Sequence, residues 1–160
     1  MKFKKILVPV DSSEASMRAF NVAVDMAHDT PDCTIHAVCV IPSDDMPNWM
    51  GTSMDSIGMG GFTPMIDQAT YREILDKAIE RDTKRLQEIL EDSMGDMKDR
   101  VTVGAISSGS ISAGIVSYAE DNECDMIVMG SRGLGKVRSI LGSVSYGVLH
   151  EVNIPVTIVK

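Results

Sequence analysis

The hydrophobic pattern of this chain alternates between short continuous apolar runs and longer stretches with helical spacing. Residues 4–11, KKILVPVD, form an apolar run ending in an acid, which predicts a buried strand. Ser12 or Ser13 can cap the helix that follows, with Glu14 favourable in its first turn. Ala15, Ala19, Val22, Ala23 and Met26 then recur on one face of that helix. CTIHAVCVI (33–41) predicts a second buried strand. A long helix is expected over about 67–95, with Leu75, Ile79, Leu86 and Leu90 as its apolar stripe. Asp99 and Arg100 lead into a third strand, VTVGAIS. The next helix is capped by Ser110 and turns Ile111, Ile115, Tyr118 and Ala119 inward. CDMIVMG (124–130) reads as a fourth strand, SVSYGVLHEV as a helix with Val144, Val148 and Val152 four apart, and IPVTIVK as a fifth strand.

Strands alternating with helices in this way predict an α/β fold, a parallel sheet with helices on both faces. Right-handed crossovers leave few topologies, and a doubly wound five-stranded sheet ordered 3-2-1-4-5 is the economical one. The chain reads as one domain over 1–160, with an irregular Met-, Gly- and Pro-rich insertion at about 42–66. Met46, Met50 and Met54 in that insertion are four apart, but Pro47 and Gly51 interrupt any helix there. They read as a hydrophobic flap or part of a partner surface rather than a thioether metal site. The charged face of the long helix carries like-charged i,i+4 pairs, Asp76–Glu80 and Lys77–Arg81, and reads as a solvated surface.

Composition adds constraints. With 4% aromatic residues the core must be aliphatic, with Met filling gaps. A net charge of -8 argues against non-specific nucleic-acid binding and against an anionic membrane surface. Cys33, Cys39 and Cys124 are odd in number and lack C-x-x-C spacing, which fits a reducing compartment. The opening residues lack a signal-length apolar run and no stretch reaches membrane-spanning length, so a cytoplasmic location is expected. His28, His36 and His150 have no mutual spacing for a metal.

In the expected topology, ligands bind beyond the carboxyl ends of the strands where the strand order reverses, between strands 1 and 4. Strand 1 ends in Pro9-Val10-Asp11 and strand 4 in Met129-Gly130, so both ends should meet at one crevice. Gly130 to Lys136 spells G-x-x-x-x-G-K, but Val137 stands where a P-loop needs a hydroxyl for Mg²⁺. The loop also follows a late strand, and the final strand carries no acid, so the P-loop reading fails. In another register, Gly130-x-x-Gly133 is a loop without side-chain bulk whose N–H groups can close on phosphate oxygens. Gly142 and Ser143 open the last helix, whose first turn offers unpaired N–H groups to an anion. Ser143 and Ser145 add hydroxyl donors, with Val144 between them. Arg132, Lys136 and Arg138 make this the one concentrated basic segment of an acidic chain. Asp11 is an acceptor for a base or ribose across the crevice, and Val10, Val40 and Met129 are placed to sandwich an adenine ring. On this reading Gly130→Val should cost nucleotide binding and spare the fold.

ILVPVDSSEAS at the start, MIVMGSRGLG after strand 4, LGSVS at the last helix and IPVTIVK at the end together resemble the universal stress protein family. The resemblance covers nearly the whole chain apart from the insertion. It implies an α/β fold, adenine nucleotide binding (ATP, ADP or AMP, with Mg²⁺ accompanying ATP) and homodimers. It assigns Asp11 and Val40 to adenine, Gly130, Arg132 and Gly133 to phosphate, and Gly142, Ser143 and Ser145 to phosphate and ribose. The family's nucleotide-binding branch carries G-x2-G-x9-G-[ST]; here LGKVRSIL leaves eight residues between Gly133 and Gly142. The final strand has strong β character and no internal gatekeeping charge. As an edge strand it is expected to pair antiparallel, through 155–160, with the same strand of a second chain.

Three functions compete at this point. A nucleotide-sensing stress-response module would bind adenine nucleotide and signal to an unidentified protein partner. A slow ATP hydrolase needs a placed base or water that the sequence does not supply. A dimeric scaffold would bind no nucleotide at all.

Overall fold

The computed structural model describes residues 3–43, 67–133 and 141–160. The methionines of the 42–66 insertion, as well as Lys136 and Arg138, lie outside the described residues. The described elements are β1 (Lys5–Pro9), α1 (Glu14–His28), β2 (Thr34–Pro42), α2 (Gln68–Met94), a 3₁₀ turn (Gly95–Arg100), β3 (Val101–Ser108), α3 (Ile111–Asp121), β4 (Met126–Gly130), α4 (Ser143–Glu151) and β5 (Val156–Val159). Pro42, expected at the start of the insertion, closes β2 instead.

The five strands form one sheet in the order β3-β2-β1-β4-β5, and every pairing is parallel. The sheet is buried on both faces. One face packs Ile6, Val8, Ile35, Ala37, Met126 and Val128 against Ala19, Phe20, Ala23 and Ala27 of α1 and Leu86, Leu90 and Met94 of α2. The other packs Leu7, Val38, Ile127 and Met129 against Ile115 and Ala119 of α3 and Val148 of α4. Alternate residues of each strand therefore serve opposite cores, as parallel strands covered on both sides require.

Local signals explain most element boundaries. Ser13 caps α1 by accepting the Ser16 N–H at 3.2 Å. Asp67 caps α2 by accepting from Ala69 and Thr70 N–H, each at 2.9 Å. The buried face of α1 runs through Ser16, Ala19, Phe20, Ala23 and Ala27. The expected stripe of Ala15, Val22 and Met26 is only half-buried, because the helix is turned by about one residue toward fully buried Phe20. Ser110 occupies the cap position of α3, but its hydroxyl meets the Ser112 hydroxyl at 3.1 Å and makes no capping bond. On α2 the expected like-charged pairs give way to opposite-charge contacts, Lys77–Glu73 at 2.7 Å and Arg81–Asp82 at 2.8 Å.

Two edges result, and they differ. At β3 the Thr83 hydroxyl of α2 accepts the outward Ala105 N–H at 2.9 Å, so the helix interrupts this edge at its centre. At β5, Arg18 of α1 reaches only the terminal Lys160 carbonyl, at 3.0 Å.

Candidate functional site

Strand order reverses between β1 and β4, and a cleft of about 920 Å³ opens there at the carboxyl ends of the strands. Pro9, Val10, Asp11, Val40, Met129, Gly130, Arg132, Gly133, Gly142, Ser143, Val144 and Ser145 all line it. The twelve residues nominated from sequence are thus brought together on one cavity.

The β1 lip is built by a local network. The Val10 N–H donates to the Val38 carbonyl at 2.9 Å, extending the ladder past Pro9. The chain then turns. Asp11 Oδ1 accepts the Ser13 N–H at 3.0 Å, and the Asp11 N–H donates to Ser16 Oγ at 3.3 Å. Ser16 in turn donates its hydroxyl to the Ser13 carbonyl at 2.9 Å. Between Asp11 and Ser13, Ser12 takes φ 63°, a left-handed turn that a non-glycine residue rarely adopts. The result is an exposed Asp11 carboxylate with one oxygen committed to the turn and the other, Oδ2, directed at Gly133.

The opposite lip is the loop after β4. Its glycines are required by close approach. A Cβ on Gly130 would stand 2.9 Å from the Ala15 carbonyl carbon, so β4 ends hard against the first turn of α1. This overturns the expectation that Gly130→Val would spare the fold, because the added side chain meets backbone that cannot swing aside. A Cβ on Gly133 would overlap Asp11 Oδ2, the movable end of a side chain. Ser131 is buried; its N–H donates to the Val159 carbonyl at 2.7 Å, and its own carbonyl accepts the Gly142 N–H at 2.8 Å.

Gly142, not Ser143, occupies the cap position of α4, and no side chain among the described residues caps that helix start. The first turn of α4, Gly142 to Ser145, lines the cleft, and Ser143 is the exposed first residue of the helix. Ser145 differs from the expectation in one respect. It is buried, and its hydroxyl donates to the Gly130 carbonyl at 2.9 Å. Its single O–H is thus spent on holding the loop.

The apolar wall also needs one correction. Val40 and Met129 face it from the α3/α4 side of the sheet, but Val10 lines the cleft while its side chain packs into the α1/α2 core. The wall is completed by Ile111 and Ile115 of α3, which the helical pattern alone marked only as core. Their position follows from the topology: α3 begins at the carboxyl end of β3, beside the cleft. Cys39 also borders it, but like Val10 its side chain packs on the α1/α2 core, where burial, with Asp82 and Asp11 adding, raises its thiol pKa. Tyr146, on the rim and 65% exposed, carried no sequence signal.

Chemically the cleft has two ends. One is aliphatic. The other offers main-chain donors from the glycine loop and α4, the Arg132 guanidinium and the Asp11 carboxylate. Asp11 is the only carboxylate among the described lining residues, and no group of three or more metal-binding side chains occurs among the described residues.

An all-parallel sheet ordered 3-2-1-4-5 with a cleft at its switch point defines a doubly wound α/β fold. The model of the "Universal stress protein family" matches residues 2–160, and the chain belongs to that family. It is 27% identical over 159 residues to universal stress protein MJ0531 of Methanocaldococcus jannaschii, covering 99% of this chain and 82% of that protein. The fold is shared with the universal stress protein UspA from Lactobacillus plantarum, at a TM-score of 0.72 and 24% identity over 100% of this chain and 99% of the other. It is shared too with the universal stress protein from Archaeoglobus fulgidus in complex with dAMP, at a TM-score of 0.56 and 21% identity over the full length of both chains. No helix among the described residues is long and apolar enough to cross a membrane.

Proposed function

We propose that this chain is an adenine-nucleotide-binding stress-response module, taking ATP, ADP or AMP in the switch-point cleft and signalling its occupancy to a protein partner. The observation that carries this reading is the shared cleft of the Asp11 carboxylate, the Gly133 turn and the uncapped start of α4. The aliphatic end, Val40 and Met129 with Ile111 and Ile115, suits a flat apolar ring. Asp11 Oδ2 accepts from a ribose hydroxyl or the exocyclic amine. The N–H groups of Gly133, Ser143, Val144 and Ser145 point donors at phosphate oxygens, Arg132 supplies positive charge, and Gly130 and Gly142 fix the loop at its two ends. The dAMP held by the Archaeoglobus relative supports the ligand class.

A hydrolase reading asks for a second acid or base at the phosphate end, and the described lining supplies none beyond Asp11, one of whose oxygens already accepts the Ser13 N–H. We propose binding without appreciable turnover, and Mg²⁺ entering only with ATP. We also propose that residues 1–160 form a single domain. A two-fold dimer through residues 155–160 is proposed as well, supported by the contrast between the Thr83-interrupted β3 edge and β5.

The test is mass spectrometry of whatever the denatured, purified protein releases, followed by calorimetry with ATP, ADP and AMP. Release of an adenine nucleotide, or micromolar binding of one, supports the reading. No release together with no heat from any of the three overturns it in favour of a scaffold.

A further inference from the structure

The glycine loop is rooted in the edge strand. Ser131 N–H donates to the Val159 carbonyl at 2.7 Å, so the last rung of the β4–β5 ladder is also the first fixed point of the loop. The Ser131 carbonyl then accepts the Gly142 N–H at 2.8 Å, and the Gly130 carbonyl accepts the Ser145 hydroxyl at 2.9 Å. Two consecutive peptide groups are thus tied on one side to β5 and on the other to the first turn of α4. The donors proposed for phosphate stand on both sides of this knot.

The same strand carries the proposed dimer surface. Pro155 and Val159 give their carbonyls inward to Ile127 and Ser131. Along a strand the main-chain groups alternate in direction, so Val156 and Ile158 turn theirs outward from the sheet. Pro155, lacking an N–H, falls at an inward position and costs the outer edge nothing. Antiparallel pairing with a second copy then places the two-fold axis at Thr157, with Val156 of one chain opposite Ile158 of the other. All four residues of β5 are only half-buried, and β4 is its one strand neighbour.

The geometry points to a thermodynamic coupling between dimerisation and nucleotide binding, transmitted from β5 through Ser131 to the loop and α4. This inference rests on the nucleotide and dimer readings above. Pairing on the outer edge restrains β5 and with it the Val159 carbonyl. That in turn fixes the Ser131 and Gly142 peptides before the ligand arrives, so less ordering remains to be done on binding. Coupling of this kind is reciprocal: because the dimer carries two clefts, the nucleotide tightens the dimer by the square of the factor by which dimerisation tightens each site.

Analytical ultracentrifugation of the full chain over a dilution series, with and without saturating ADP, reads the coupling directly. The expected result is a dimer dissociation constant lowered by about fivefold or more with ADP, at the low end of ordinary allosteric factors. Thr157→Lys sets two like charges opposite each other at the axis, and Thr157 does not itself line the cleft. It should be monomeric and should bind ADP more weakly than the dimeric wild type by the square root of that factor. A wild-type dimer constant unmoved by ADP that binds with normal heat overturns the coupling and leaves the nucleotide reading intact. A wild-type chain that stays monomeric throughout the series, or a Thr157→Lys protein that still dimerises, overturns it too. Absence of any ADP heat takes both readings down together. If Thr157→Lys fails to fold by circular dichroism, the wild-type dilution series alone decides.

Discussion

Asp11 Oδ2 lies so close to the Cα of Gly133 that a methyl group on that glycine would overlap it. The acid that ends the first strand and the turn that follows the fourth are therefore immediate neighbours, although 122 positions separate them in sequence. Gly133→Ala should push the carboxylate aside and lower ADP affinity about tenfold, some 1.4 kcal/mol, with little change in thermal midpoint. In an Asp11→Ala background the obstacle is gone, and the same substitution should cost much less. Calorimetry on the four proteins measures this non-additivity, and fully additive losses would detach Asp11 from the glycine turn.

Asp11 has two roles that one substitution separates. Asn at this position keeps an oxygen for the Ser13 N–H and removes the charge. Asp11→Asn should retain stability and weaken nucleotide binding, whereas Asp11→Ala should also lose about 0.5–1.5 kcal/mol of stability with the turn bond. Urea midpoints beside ADP titrations distinguish the two, and equal destabilisation by Asn and Ala would contradict the assignment.

Ser145 and Gly130 hold the loop from behind. Ser145→Ala leaves the Gly130 carbonyl without its hydroxyl partner and should cost about 1–3 kcal/mol in chemical denaturation. Gly130→Ala forces a Cβ onto the Ala15 backbone and should cost about 1–3 kcal/mol by overpacking. An unchanged denaturation midpoint in either variant would show that the loop relaxes freely.

His36 makes the stability sensitive to pH. It is half-buried, and its Nδ1 lies 2.9 Å from the Tyr118 hydroxyl. Burial, and secondarily the charge of Lys5, lowers its pKa below the ordinary histidine range. The unfolded chain takes up the proton near pH 6.5, more readily than the folded one. The stabilisation from a neutral His36 is therefore complete above about pH 6.5 and is lost as pH falls from there through the lowered folded-state value. Denaturant midpoints of the wild type should fall between pH 7.5 and 5.5, and His36→Gln should flatten that slope. An identical slope in the variant would assign the effect elsewhere.

Much of this was legible in the sequence because the signals were periodic or positional. Short apolar runs ending in acid or glycine marked β1 and β4, and the alternation of strand and helix fixed the switch point between them. Three things were not legible, each for a physical reason. The rotation of α1 depends on where Phe20 finds room in the core, which a one-face count of Ala and Val misses. The bonding of Ser145 depends on how deeply its helix start sits, since the same residue pattern serves an exposed donor or a buried tie. Ile111 and Ile115 read as core because aliphatic residues that line a ligand cleft and those that fill a core obey the same spacing.

The Thr83 hydroxyl on Ala105 N–H interrupts one flank of the sheet, while β5 carries no comparable interruption among the described residues. A sheet with a single open flank can join one copy of itself and then has nowhere further to grow. Two chains meeting along β5 would present only their Thr83-interrupted flanks to solvent, so the same contact that permits a pair forbids a ribbon or a fibre.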